Sequence, residues 1–251
     1  MRVARTAGSK PAAGTPAPGA PKDRRAAAEP LRDLAWRKTQ AVEVIARLSQ
    51  DFPGAGIVLR FHSEWELLVS VILSAQCTDK VVNQVTTPLF QKYRLIEDYA
   101  GADPAEFEED IRRTGFFRNK TQHIIASAQK ILAEFGGQVP RSMAELVTLP
   151  GVARKTANIV LGNAYPDAYA ADPDSGIAVD THVHRLSNRL GLAQTKDAAK
   201  TEVQLMEVVP RADWFGLTYL LIEHGRAVCI AQRPKCGGCH LADVCPSAFR
   251  A

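Results

Sequence analysis

The sequence lacks any long hydrophobic run. No apolar stretch among its 251 residues reaches the roughly 18 residues of a membrane-spanning helix. Residues 1–30 also lack the continuous apolar segment of a secretory signal peptide. These two absences argue against a membrane protein and against a secreted one. We therefore predict a cytoplasmic protein without a membrane partner.

An excess of charge of one sign is also missing, except at the N-terminus. The formal net charge is +4, with six basic and two acidic residues in residues 1–30 and 25 of each sign in the remainder. Residues 1–30 are rich in Ala, Pro and Gly, which predicts a disordered basic tail. Its prolines disfavour the amphipathic helix of an organellar transit peptide. Affinity for a polyanion must otherwise come from how the charges are arranged.

No segment alternates apolar and polar residues as a β-strand would, and no internal repeat stands out. Helix-start signals recur instead, because Ser63, Asp103 and Ser142 each stand three residues before a glutamate. The 46% hydrophobic content is sufficient for a core. We predict an all-α fold of two helical domains, with loops at residues 53–56, 136–140 and 165–176.

Four of the five cysteines are crowded near the C-terminus, in the spacing C-x6-C-x2-C-x5-C, at Cys229, Cys236, Cys239 and Cys245. Four thiols this close predict a shared metal site. Structural zinc usually takes two tight pairs, whereas only one pair is tight here, so the spacing favours an iron–sulfur cluster. Zinc, or cysteines that bind no metal, remain alternatives.

A glycine-containing turn joins two predicted helices at residues 149–157, which read LPGVARKTA. Gly151 lets backbone amides approach an anion, and the next helix begins with its positive dipole end. A DNA phosphate is the natural ligand of such a helix-hairpin-helix. The alternative is an ordinary helical hairpin in which Gly151 only ends the first helix.

Asp180 lies in the segment VDTHVHR, just before a predicted helix that runs through Leu186 and Leu190. Taken alone, this aspartate is an N-cap. His182 and His184 point to different faces of that helix. Because no carboxylate stands at ligand spacing from them, they are interpreted as packing or hydrogen-bonding groups, not as metal ligands.

Together, these segments resemble the endonuclease III family of helix-hairpin-helix DNA glycosylases. The resemblance extends from about Trp36 to the C-terminus, and only the basic tail lies outside it. It includes LSAQCTD at residues 73–79, the hairpin LPGVARKTAN, the segment AVDTHVHR and the cysteine spacing.

The resemblance implies a monomeric glycosylase and abasic-site lyase of base excision repair that removes oxidised pyrimidines from damaged double-stranded DNA. It implies a six-helix barrel domain over residues 57–174 and an iron–sulfur cluster domain over residues 31–56 plus 175–251. DNA would bind in the cleft between them, and the four cysteines would hold one 4Fe–4S cluster. The expected location is the bacterial nucleoid.

The resemblance also implies which residues are catalytic. Lys155 would attack C1′ of the deoxyribose, expel the base and form a Schiff base, after which β-elimination cuts the strand 3′ to the site. Asp180 would stabilise the cationic sugar and assist the proton transfers.

DNA contacts are implied at the hairpin and at two loops. The family pattern assigns Gln76 to the gap left by the flipped base and places Phe116 or Phe117 where a wedge enters the base stack. A phenylalanine pair after Gly115 is alternatively part of the core. The full set of implied DNA-binding residues is Gln76, Phe116, Phe117, Gly151, Ala153, Arg154 and Thr156.

The sequence departs from the family pattern at three places. Ala153 replaces the second hairpin glycine and disfavours a left-handed backbone, which predicts an altered phosphate contact. The loop at residues 165–176 is long, and its three aspartates are expected to repel phosphate near Asp180. Cys77 replaces a small apolar residue and is interpreted as packed.

Two other functions agree less well with the sequence. An adenine DNA glycosylase shares the fold and cluster but lacks a lysine at the hairpin position, so Lys155 argues against it. A non-catalytic iron–sulfur module has no use for Lys155 paired with Asp180.

Overall fold

The structure, a computed structural model, describes residues 31–250, and the predicted tail at residues 1–30 lies outside them. Every regular element in the described part is helical, which confirms the all-α prediction. No helix there combines the length and apolar character needed to cross a bilayer. The α-helices are α1 Leu34–Asp51, α2 Glu64–Leu73, α3 Asp79–Lys92, α4 Ile96–Ala100, α5 Pro104–Ile111, α6 Phe117–Glu134, α7 Met143–Leu146, α8 Arg154–Ala164, α9 Pro166–Ala171, α10 Thr181–Arg189, α11 Ala198–Met206 and α12 Trp214–Ala227. Short 3-10 helices cover Arg112–Thr114, Arg211–Asp213 and Cys236–Gly238.

The three helix-start signals found in the sequence act as N-caps. Ser63, Asp103 and Ser142 each accept a hydrogen bond from the backbone N–H three residues later, at 3.2, 2.9 and 3.3 Å. Each bond satisfies one of the amide groups that the first turn of a helix leaves without a partner. These caps start α2, α5 and α7.

The helices from α2 to α9 pack mainly on one another. The hairpin helix α8 lies against α2 and α7, while α6 lies against α4 and α5. Fully buried aliphatic side chains fill this core, among them Leu67, Leu73, Ile124, Ile131 and Leu161. This packing fixes α8 on a buried apolar face, so its N-terminal end is held in a defined position.

Of the remaining helices, α10 and α1 pack on α12, and α11 packs on α10. Val183, Leu186 and Leu221 are fully buried between them. The buried Arg37 of α1 donates to the carbonyl oxygens of Leu192 and Gln204, and so joins α1 to the segment after α10 and to α11. The boundaries predicted for two domains, residues 57–174 and residues 31–56 plus 175–251, stay a prediction.

The predicted loop at residues 165–176 contains the helix α9, so the prediction of a loop throughout was wrong. Arg211 holds the segment in place: its guanidinium donates to the carbonyl oxygen of Asp172 and to the Ser175 hydroxyl, both at 2.6 Å. The Asp172 carboxylate accepts from the Met143 backbone N–H at 2.6 Å. Of the three aspartates in residues 165–176, Asp172 therefore forms a hydrogen bond within the protein.

Candidate active site and cysteine site

A large open cleft of about 900 Å³ brings Lys155 and Asp180 into one site. The ends of several helices line it, and those ends come from distant parts of the sequence. Its walls are formed by Gly56, Ile57, Val58, Leu59, Val71, Ser74, Gln76, Cys77, Thr78, Asp79, Lys80, Lys155, Ile159, Asp180, Thr181, His182, Thr218, Tyr219, Ile222 and Arg226.

The turn before α8 requires glycine at position 151. Gly151 has φ +76°, and a Cβ atom there would lie 2.7 Å from the ring of His123. Both facts exclude an ordinary side chain without movement of the hairpin. The Ser127 hydroxyl donates to the carbonyl oxygen of Pro150 at 2.9 Å and so fixes the residue directly before Gly151.

Lys155 is the second residue of α8 and is exposed to solvent. It makes no hydrogen bond or ion pair with any described residue. The N-cap of α8 is Ala153, whose side chain has no acceptor, so the first amides of the helix lack a side-chain cap. The start of α8 therefore presents an amine to the cleft beside amides that are able to bind an anion.

The backbone at Ala153 is extended, with φ −89° and ψ 168°. Any residue adopts this conformation, so alanine introduces no strain where the family pattern has glycine. The expected alteration of the phosphate contact rested on a left-handed backbone at this position. Because the backbone at Ala153 is not left-handed, this basis for the expectation is absent.

Arg154, predicted to bind DNA, is bonded inside the protein. Its Nε donates to the carboxylate of Glu202 on α11 at 2.9 Å, and the Asn158 side chain donates to the same oxygen at 3.3 Å. Burial raises the pKa of Glu202, while Arg154 and Asn158 act in the opposite direction. The predicted contact residue Thr156 is half-buried on the same helix. Arg154 therefore ties the start of α8 to α11.

Asp180 is the N-cap of α10, as its position in the sequence indicated. Its Oδ1 accepts from the Val183 backbone N–H at 2.8 Å. The hydrogen bond fixes the side chain at the wall of the cleft. The second carboxylate oxygen makes no hydrogen bond to a described residue. Asp180 thus presents a carboxylate group in a fixed position to the cleft that contains Lys155.

The structure separates the two phenylalanines that the sequence left equivalent. Phe116 has a left-handed backbone with φ +48°, and its side chain is 63% exposed. Phe117 is half-buried, packs on the core and lies beneath the guanidinium of Arg112, 5.2 Å from its ring centre. Gln76 is also exposed and left-handed, with φ +53°. Phe116 and Gln76 are therefore the side chains available to a ligand.

Sequence reasoning missed His182 as a residue of the cleft. Because arginine only donates hydrogen bonds, His182 Nδ1 must accept from Arg185 Nη2 at 3.3 Å. Burial lowers the pKa of His182, which favours the neutral ring. One signal was present in the sequence, because His182 stands only two residues after Asp180. The second histidine, His184, made the two side chains look equivalent. His184 instead contacts the Thr201 hydroxyl at 2.8 Å.

A pair of charges at the cleft was also missed. Arg226 of α12 donates to the Asp79 carboxylate at 2.6 Å, across 147 residues of sequence. Its other terminal nitrogen lies 3.3 Å from Glu223. No local pattern in the sequence connects Asp79 to Arg226, because the contact depends on how α12 packs.

The four clustered cysteines line one common cavity, together with Arg189, Leu190, His224 and apolar side chains. Among the described residues, no three His, Cys, Asp or Glu side chains are grouped closely enough to hold a single metal ion. Burial raises the pKa of the Cys239 and Cys245 thiols. Half-buried thiolates at these positions are therefore stabilised by a positively charged partner.

Hydrogen-bond donors reach two of the four cysteine sulfurs. Arg189 Nη1 lies 3.4 Å from Cys229 Sγ, and the Leu241 backbone N–H donates to Cys239 Sγ at the same distance. Donors of this kind stabilise anionic sulfur and orient metal ligands. Four cysteines in one largely apolar cavity, with N–H donors to sulfur, fit the binding of an iron–sulfur cluster.

The chain is similar to known DNA repair proteins. Residues 69–211 match the HhH-GPD superfamily of base excision DNA repair proteins. The chain is 49% identical to endonuclease III of Synechocystis over 218 residues, which is 87% of this chain and 97% of that protein. The chain belongs to the endonuclease III family. It is also 36% identical to endonuclease III of Escherichia coli, over 83% of this chain and 95% of the relative.

Solved structures of the family match the fold as well. A trapped covalent intermediate of endonuclease III with DNA superimposes with a TM-score of 0.78 at 40% identity, over 84% of this chain and 96% of that one. A non-covalent endonuclease III–DNA complex gives 0.77 at 40% identity, over the same shares of both chains. As an endonuclease III family member, the chain is a base excision repair enzyme of the DNA glycosylase and abasic-site lyase class.

Proposed function

We propose that the enzyme removes oxidised pyrimidines from duplex DNA through a Schiff base on Lys155 and cuts the strand 3′ to the resulting abasic site. The observation that carries this proposal is that Lys155 and Asp180 line the same cleft from the starts of two different helices. A reacting sugar placed between them would meet an amine on one side and a carboxylate on the other. The covalent DNA intermediate trapped in a relative supports the same reaction class.

Lys155 has the accessibility that a nucleophile needs, because no described residue bonds its amine. In the proposed reaction, its nitrogen forms a bond to C1′ and the glycosidic electron pair leaves with the base. Ring opening gives the Schiff base. Loss of a C2′ proton then breaks the C3′–oxygen bond and cuts the strand.

Asp180 stabilises the positive charge that develops on the sugar as the base departs. Its Oδ1 is fixed by the Val183 N–H, and the other oxygen is free to face the substrate. The same carboxylate is able to accept and return protons as the amine attacks. Its role in capping α10 holds it in place for both steps.

Damaged double-stranded DNA would be held by the hairpin and by two loops. The uncapped amides at the start of α8 and the turn at Gly151 suit a phosphate group. Phe116 would enter the base stack, and Gln76 would occupy the gap left by the flipped base. Support comes from the exposure of both side chains and from the DNA bound in the matching solved structures.

Cys229, Cys236, Cys239 and Cys245 would hold one 4Fe–4S cluster. When bound, the cluster would supply structural and electrostatic stabilisation to the C-terminal segment. The chain's own contribution is the set of N–H donors to sulfur and the apolar cavity. Iron and acid-labile sulfide in equal amounts, four of each per chain, would be expected on chemical analysis. Zinc instead would contradict this assignment. Action as a monomer in the bacterial cytoplasm stays a prediction.

The decisive experiment uses a thymine glycol duplex and an abasic-site duplex, each incubated with the holoenzyme and borohydride. Wild type is expected to form a covalent adduct with both and to cut both when borohydride is omitted. Lys155→Ala should form none. Lys80→Ala is the matched control, because Lys80 is another exposed lysine of the same cleft and should leave the adduct intact. An adduct that survives in Lys155→Ala would exclude Lys155 as the nucleophile.

A further inference from the structure

Lys120 is a buried lysine that the proposed reaction does not use. Only 4% of the residue is exposed. Its ammonium donates to the carbonyl oxygen of Leu73 at 2.8 Å and to that of Thr114 at 2.9 Å. No carboxylate among the described residues forms an ion pair with it. The lysine therefore connects two segments that lie 41 residues apart in the sequence.

Both carbonyl groups end a helical element. Leu73 is the last residue of α2, and Thr114 is the last residue of the 3-10 helix Arg112–Thr114. Soon after each of these residues, the chain reaches a non-glycine residue in the left-handed region: Gln76 at φ +53° and Phe116 at φ +48°. These are the two exposed side chains that we assign to the opened duplex. A single ammonium group thus holds the base of both loops.

This connection is costly to build. Removing an ammonium from water without a counterion is unfavourable, and burial lowers the pKa of Lys120 accordingly. A methionine of similar length would fill the same volume without that cost. What methionine lacks is the ability to bond two carbonyl groups at once. The two hydrogen bonds, and not the volume, distinguish Lys120 from an apolar residue.

We infer that Lys120 is a positioning residue that sets the distance between the Gln76 and Phe116 loops, so that both side chains enter the duplex together. Without it, each loop would still exist, but the two side chains would no longer be held in one fixed arrangement. The inference rests on the proposed function. It concerns the opening of a duplex and leaves the chemistry of Lys155 unchanged.

The test compares Lys120→Met with wild type on two substrates under single-turnover conditions. Excision of thymine glycol from a duplex should slow by about tenfold, as for the loss of buried hydrogen bonds. Cleavage of a single-stranded abasic oligonucleotide should change by less than about twofold, because no base has to leave a stack. With 2-aminopurine opposite the lesion, the fluorescence increase on binding should be reduced as well.

Two further variants keep the test decisive. Ile124→Val alters the buried core on the same helix and leaves the two Lys120 hydrogen bonds in place, so it should slow both substrates equally or not at all. Lys120→Arg keeps the buried charge but changes the geometry of the two hydrogen bonds. If Lys120→Met does not fold, Lys120→Arg takes its place in the same two-substrate comparison. In a Phe116→Ala background, Lys120→Met should cost less than about twofold on duplex, since one of the positioned groups is already absent.

The outcomes separate the inference from the proposed function. Equal losses of Lys120→Met on duplex and single-stranded substrates would overturn the positioning role and leave a general structural one. Full additivity with Phe116→Ala would do the same. Absence of any adduct between wild type and either substrate would instead overturn the proposed function, whatever Lys120 does.

Discussion

Among the helices that begin at the cleft, α8 and α10 begin in opposite ways. At the start of α10, Asp180 caps the helix with its own carboxylate, 2.8 Å from the Val183 N–H. At the start of α8, Ala153 provides no acceptor. An N-cap side chain is worth about 1 kcal/mol, so α8 forgoes stabilisation that α10 receives. One helix closes its positive end with an internal anion, and the other leaves that end open to an external one.

This difference assigns complementary roles to the two sides of the cleft. The open end of α8 favours phosphate and carries the unpaired amine of Lys155. The closed end of α10 disfavours phosphate and carries a fixed carboxylate. A DNA strand would therefore be gripped on the α8 side while its reacting sugar faces Asp180.

Asp180→Asn separates capping from catalysis. Asparagine caps a helix as well as aspartate does, so the free energy of unfolding should change by less than about 0.5 kcal/mol. The carboxylate charge is lost, and single-turnover excision should slow by roughly 10²-fold. Urea unfolding and excision kinetics measure the two quantities. Asp180→Ala is the control, because it should lose the activity and about 1 kcal/mol of stability as well. Unchanged excision in Asp180→Asn would show that the carboxylate is only a cap.

Gly151→Ala tests the hairpin on the α8 side. The positive φ and the contact of a Cβ with the His123 ring should lower the free energy of unfolding by about 1–3 kcal/mol. Urea unfolding measures it. Gly54→Ala is a suitable control, since Gly54 has no positive φ and no atom within 4 Å of a Cβ, and it should be close to neutral. Equal stability of the two variants would mean that the turn tolerates a side chain.

Ala153→Asp makes α8 resemble α10. Its extended backbone suits an N-cap, so the variant should be more stable by about 0.5–1 kcal/mol. The new carboxylate would occupy the open amides and repel phosphate, and affinity for duplex DNA should fall about tenfold. Thermal unfolding and fluorescence anisotropy at several salt concentrations provide the measurements. Ala153→Ser caps without charge and should weaken binding less. Undiminished affinity in Ala153→Asp would show that phosphate does not bind there.

Glu202→Gln tests the attachment of α8 to α11 through pH. Burial holds the pKa of Glu202 above its ordinary 4.5, so between those two pKa values the folded state keeps a proton that the unfolded state has lost. Protonated Glu202 therefore stabilises the folded state at low pH. This stabilisation is lost as the pH rises from 4.5 through the folded-state pKa. Glutamine still accepts from Arg154 but does not titrate, so this part of the pH dependence should disappear in urea unfolding. An unchanged profile would exclude Glu202 as its source.

The sequence predicts the parts of this structure that local chemistry decides. Ser63, Asp103 and Ser142 were recognisable as caps because the cap and its amide lie within four residues. Gly151 was recognisable as a turn residue because the two helices that it separates are close to it in the sequence. Asp180 was predicted both as a cap and, by resemblance, as a catalytic residue. Capping is confirmed, and catalysis stays a prediction.

Other features depend on which face a helix buries, and local patterns do not contain that information. Phe116 and Phe117 are neighbours of the same type, yet only packing decides that one is exposed and the other half-buried. His182 reaches the cleft while His184 bonds to Thr201. The pairing of Arg154 with Glu202 joins residues 48 apart and could not be inferred from the hairpin motif alone.

The central claim is that the amine that forms the Schiff base is Lys155, at the start of α8. Peptide mapping of the borohydride-reduced complex tests this claim most directly. Wild-type holoenzyme would be trapped on an abasic duplex, digested with nuclease and protease, and analysed by mass spectrometry. We predict that the sugar remnant is attached to Lys155 alone. Attachment to Lys80, which lines the same cleft, or to any other amine would contradict the account.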